Sequence, residues 1–127
     1  MESKIYAVDF DGTLCDSIWP GCGEPIQFMI DAVKQLQKEG NKIILWTCRT
    51  GKALDDAVEW CKNQGLIFDA VNDNLPEIIE EFGSNNRKVF ANYYIDDCGI
   101  RAISSLGEVG FTVPPDYRLL NRIRKLG

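Results

Sequence analysis

The chain has 127 residues, 45% of them apolar, which suits one compact domain with a substantial core and argues against a second. Lys and Arg total 14 against 19 Asp and Glu, a net charge of −5 that disfavours nucleic acid as a stable partner, since counterion displacement needs a basic surface. Five cysteines with no CxxC pair, and no histidine, argue against a zinc site, a disulfide framework and any Ser-His-Asp or Cys-His mechanism.

In chain order, residues 4–9 ("KIYAVD") are predicted as the first strand. Gly12 to Glu24 form a short flap containing "CDSIWPGCGE", in which Trp19 is expected to pack on the core rather than line an entrance. Ile26, Met29, Ile30, Val33 and Leu36 recur at helical spacing over 25–39, between Pro25 and Gly40. Residues 42–47 ("KIILWT") read as a strand buried on both faces. A helix over 52–64 stops at Gly65, and 67–71 ("IFDAV") is a short strand. Pro76 opens a helix that ends near Gly83, and "VFANYYIDD" (89–97) contains the fourth strand. A helix over 100–106, a strand over 109–113 and a last helix from Asp116 to about Leu126 complete the pattern. Arg118, Arg122, Arg124 and Lys125 read as a solvated face of that last helix. Five βα units predict an α/β fold: a doubly wound, five-stranded parallel sheet with helices on both faces. No apolar run reaches the roughly 18 residues of a membrane span, and "MESKIYAV" lacks a signal peptide's layout. A soluble, cytoplasmic protein with reduced thiols and no membrane partner is expected.

Open α/β sheets bind ligands outside the carboxyl ends of their strands, where Asp9, Asp11, Thr47, Asp96 and Asp97 are predicted to sit. Alternate residues of an extended segment point the same way, so Asp9 and Asp11 share a side while Phe10 points into the core. Several carboxylates in one crevice repel unless a cation neutralises them, and oxygen-only ligation selects a hard ion, Mg2+ before others. The metal in turn implies an anionic substrate such as a phosphate. Thr47 offers a hydroxyl to a phosphate oxygen, and Lys88 a point charge returning to the same rim. An aspartate nucleophile would divide phosphate-ester hydrolysis into two easier steps.

"DFDGTL" at 9–14, the apolar strand ending in Thr47, Lys88, and "YYIDD" at 93–97 resemble, in order, the four motifs of the haloacid dehalogenase-like superfamily. The resemblance spans nearly the whole chain and is to the short, capless members, because the segments where relatives carry a cap have no spare sequence here. It implies a phosphoric monoester hydrolase with a Rossmann-like core. By the resemblance, Asp9 is the nucleophile that becomes phosphorylated, and Asp11 protonates the leaving oxygen and later activates water. Thr47 holds the phosphate and Lys88 steadies it, with Lys52 and Arg87 as weaker competitors for the lysine role. Asp9, the main-chain carbonyl of Asp11 and Asp96 would bind magnesium, with Asp97 either a water-mediated ligand or an orienting group. Arg49, two residues after Thr47, is a candidate grip for a second anionic group of the substrate, and Gly12 of the turn joins the substrate-binding set.

The expected partner is a phosphorylated substrate, either a small molecule or a phosphorylated polymer end. An open site further implies a bulky substrate or a lid from a second subunit of a homo-oligomer. Two other readings compete. A phosphorylation-switched receiver module has the same ingredients, but with its acidic pair first and its acceptor in mid-chain. A binding protein on the same fold would have weak catalysis or none.

Overall fold

The structure, a computed structural model, describes residues 3–98, 101–105 and 108–112. Its elements run β1 (Ile5–Val8), β2 (Cys15–Ile18), β3 (Gly21–Pro25), α1 (Gln27–Lys38), β4 (Lys42–Leu45), α2 (Gly51–Asn63), β5 (Ala70–Val71), α3 (Pro76–Phe82), β6 (Tyr93–Ile95), β7 (Arg101–Ser105) and β8 (Glu108–Thr112). The chain divides into two compact units, Met1–Ile95 and Asp96–Gly127.

The first unit is built on a parallel sheet of four strands in the order β5-β4-β1-β6. Side chains alternate across it, as the two-residue period of a strand requires. Val8, Ile43 and Leu45 face one side, where Ile30 and Val33 of α1 and Ala57 and Cys61 of α2 cover them. Ile5, Ala7 and Ile44 face the other, against Leu75, Ile78 of α3 and Val89. Helices therefore lie on both faces, as the near-continuous apolar strands demand. Burying each of the Val, Leu and Ile side chains among these contributes roughly 1.5–3 kcal/mol, so the sandwich dominates the unit's stability.

Short strands leave main-chain amides without ladder partners, and Asn and Asp side chains take them up. Asn41 Oδ1 accepts from Lys4 N at 3.0 Å, Asn92 Oδ1 from Ile5 N at 2.8 Å, and Asp69 Oδ2 from Ile43 N at 2.8 Å. Buried Asn74 is the hub of the loop before β6. Its amide donates to Asn85 Oδ1 and Asn86 O, and its oxygen accepts from Phe90 N. Residues 86–92 thus pass beneath the sheet, from Asn74 to the amino end of β1, where Asn92 N donates to Ile5 O.

The last third of the chain departs from expectation. Arg101–Ser105, predicted helical, is a strand, and it pairs antiparallel with Glu108–Thr112 in a separate two-stranded sheet. The strand expected over 109–113 exists, but among the described residues it joins that hairpin and the parallel sheet has four strands. The run "RAISS" is short, with one β-branched residue among small ones, and so few residues do not separate a helical period from a strand. The predicted helix from Asp116 to Leu126 lies outside the described residues. Among the described residues no helix is long and apolar enough to cross a membrane.

Candidate functional site

β1 and β4 run in parallel with Val8 opposite Leu45, and Trp46 N donates to Val8 O. Asp9 and Thr47 therefore leave the sheet at the same, carboxyl edge. Asp9 is partly exposed there, and its N–H donates to Ile95 O of β6 at 2.9 Å. Past Asp9 the chain turns tightly: Phe10 is buried, and its carbonyl accepts from Thr13 N and Leu14 N. Gly12 sits at φ +80°, a left-handed conformation costly for a side chain, and its N–H donates to Cys15 O.

Thr13 in this turn is buried with an orphaned hydroxyl, Oγ1 having no hydrogen-bond partner. A buried polar atom without a partner is a net cost, so Thr13→Val is expected to raise stability by about 1 kcal/mol in urea unfolding. A fall instead would mean that the hydroxyl is satisfied in solution.

At β4's end, Thr47 N donates to Asn72 Oδ1 at 2.8 Å, and Thr47 Oγ1 accepts from Arg49 N at 3.2 Å. Arg49 is the largest fully buried side chain among the described residues, 1% exposed. Its Nε and Nη2 grip Asp11 Oδ2 and Oδ1 at 2.8 and 2.7 Å. Nη1 donates to Pro20 O at 2.9 Å and Ala53 O at 3.3 Å, and Nη2 also to Gly21 O at 2.6 Å. All five guanidinium N–H groups are engaged inside the protein. The bond to Asp11 holds the Arg49 pKa above its ordinary value, against the opposing pull of burial. Phe10 from the core and Trp19 from the hairpin lie against the cation, their ring centroids 4.9 and 5.0 Å from Cζ.

Arg49 thus differs from the expected substrate grip: with no donor left over, it joins the β1 turn, the loop after β4 and the β2–β3 hairpin. The hairpin is the expected flap. Gly23 is required in it, because a Cβ there would come within 1.9 Å of Asp16 O. Trp19 also corrects expectation. It is 63% exposed at the hairpin turn rather than packed on the core.

Lys88 is exposed, with its ammonium 5.7 Å from the Tyr94 ring centroid. It lines a cleft of about 290 Å³ with Asn74, Phe82, Asn86 and Tyr94, and neither Asp9, Asp11 nor Thr47 lines that cleft. Lys52 pairs instead with Asp56 at 2.8 Å, one turn along α2. Asp96 and Asp97 follow β6 in the chain and belong to the second unit, where their carboxylates cluster with the Cys98 thiol within 4.8 Å. Cys15 and Cys61 are buried, and burial raises both thiols, Cys61 to about 12, which suits apolar filler rather than reactive groups.

Asn72 was not foreseen as a site residue. It holds the Thr47 amide and donates to Arg49 O at 3.3 Å, from a left-handed backbone at φ 50°. An Asn just past a strand, a residue type that tolerates that conformation, is the one sequence signal for it.

No family model matches the sequence, and comparison with curated proteins yields no match. A solved structure, that of a conserved protein coded by a locus of Bacteroides thetaiotaomicron, is 36% identical, with a TM-score of 0.69 over 98% of this chain and 92% of that one. With that identity sustained along nearly all of both chains, this chain belongs to the family of the Bacteroides thetaiotaomicron protein.

Proposed function

We propose that the chain is a magnesium-dependent phosphomonoesterase of the haloacid dehalogenase-like type, working through an aspartyl-phosphate on Asp9. The supporting observation is the convergence of Asp9, Asp11 and Thr47 at the carboxyl edge of a parallel sheet. In the order β5-β4-β1-β6, successive strands first step away from β1 on one side and then return on its other side, which favours a doubly wound core with its ligand crevice beside β1.

In the proposed reaction an Asp9 carboxylate oxygen attacks phosphorus, the ester P–O bond breaks, and Asp11 gives its proton to the leaving oxygen. Water then attacks the aspartyl-phosphate while the Asp11 carboxylate takes up the water's proton, and phosphate leaves with Asp9 restored. Thr47 would orient a phosphate oxygen. Arg49 occupies one lone pair on each Asp11 oxygen, so each keeps another for the proton.

The donors of the first unit fit a hard cation. Asp9 is a partly exposed carboxylate, and with its own carboxylate held by Arg49, Asp11 offers the main-chain carbonyl. The assignment of Asp96 and Asp97 as further ligands, and of Lys88 as the phosphate-steadying cation, rests on the sequence motifs. Bound magnesium would neutralise charge on the phosphoryl group.

A panel of nucleotides, sugar phosphates and phosphorylated polymers, run with magnesium and then with chelator, tests the reading. Phosphate release that needs magnesium is expected; release from none of them, or release indifferent to chelator, defeats it. The Arg49–Asp11 pair lends some support to the binding-protein alternative, since it engages both oxygens of the proposed acid. A flat blank across the panel would favour that alternative.

A further inference from the structure

We infer that Trp19 determines specificity: its exposed indole receives a planar ring carried by the phosphate ester, as an aryl group or a nucleobase. The inference rests on the proposed phosphatase reading for where the phosphate sits.

Three observations carry it. The indole stands at the turn of the β2–β3 hairpin, 63% exposed beside Ile18 at 61%, so an apolar face is turned to solvent there. The turn is also anchored: the carbonyls of Pro20 and Gly21, the next two residues, accept from Arg49 at 2.9 and 2.6 Å. Finally, the guanidinium against which Trp19 lies holds the Asp11 carboxylate along its edge, so one cation links the indole to the proposed acid. A single exposed aromatic is ordinary on a protein surface. An exposed aromatic fixed by a buried, fully bonded arginine one side chain from the proposed acid Asp11 is preorganised for stacking, and little ordering cost remains when a ring arrives. Aliphatic phosphates have no face to offer it.

The test compares wild type, Trp19→Ala and Trp19→Phe on adenosine monophosphate, phenyl phosphate and glycerol phosphate with magnesium. In Trp19→Ala, kcat/KM is expected to fall about tenfold on the ring-bearing esters and to stay within about twofold on glycerol phosphate. Trp19→Phe, which keeps a flat face, should recover most of the loss. A loss on both ring esters supports any planar ring as ligand, and a loss confined to adenosine monophosphate supports the nucleobase. Equal effects on all three esters, or none, overturn the inference. Calorimetric binding of adenosine monophosphate in chelator needs no turnover. There Trp19→Ala should bind about tenfold more weakly, and unchanged affinity overturns the inference. Wild-type protein that binds through Trp19 yet releases no phosphate would sink the phosphatase reading and leave this one standing.

Discussion

Asp9→Asn is expected to cut magnesium-dependent phosphate release by on the order of 10³-fold or more, while the protein stays folded. The amide is close to the carboxylate in size but is neither charged nor nucleophilic, so the covalent route closes. The main-chain bond from Asp9 N to Ile95 O, which ties β1 to β6, does not involve the side chain and survives. Release from an aryl phosphate, followed beside a thermal melt, separates the two effects. An Asn variant that turns over at the wild-type rate would exclude an aspartyl-phosphate on this residue.

A second large effect concerns stability. Arg49→Met should cost about 3–5 kcal/mol, because it strands the Asp11 carboxylate and the three carbonyls of Pro20, Gly21 and Ala53 at once. For a chain of this size that is a fall in Tm on the order of 10 °C. Arg49→Lys keeps the charge but has three donors in place of five and no planar fork, so it should fall between wild type and Met. A Met variant that melts within about 2 °C of wild type would mean that the Arg49–Asp11 pair contributes little beyond what methionine packing replaces.

Four of the five expected parallel strands were legible because their signals are local. Ile43, Ile44 and Leu45, a short apolar run rich in β-branched residues, suit a strand buried on both faces, and Pro76 and Gly83 bracket α3 as start and stop residues should. Asp9, Asp11 and Thr47 reach the carboxyl edge for the same reason, since each lies past the end of a strand that the apolar pattern locates. The pairing of Arg49 with Asp11 was not legible. It joins residues 38 positions apart, and nothing in "TCRT" distinguishes an arginine that turns inward from one that reaches for a ligand. Trp19 was misread for a related reason: composition says that an indole prefers burial, but the short hairpin gives it no core to enter. In "RAISS" the failure was one of period, as five residues with one large apolar side chain establish neither helical nor strand spacing.

Arg49 grasps the hairpin turn through carbonyl oxygens, and every amino acid carries one of those. Mutation can therefore exchange the side chains along the tip without loosening the anchor beneath them. Descendants of this chain would inherit a fixed mount and a replaceable fitting, which is a short evolutionary path from one clientele to another.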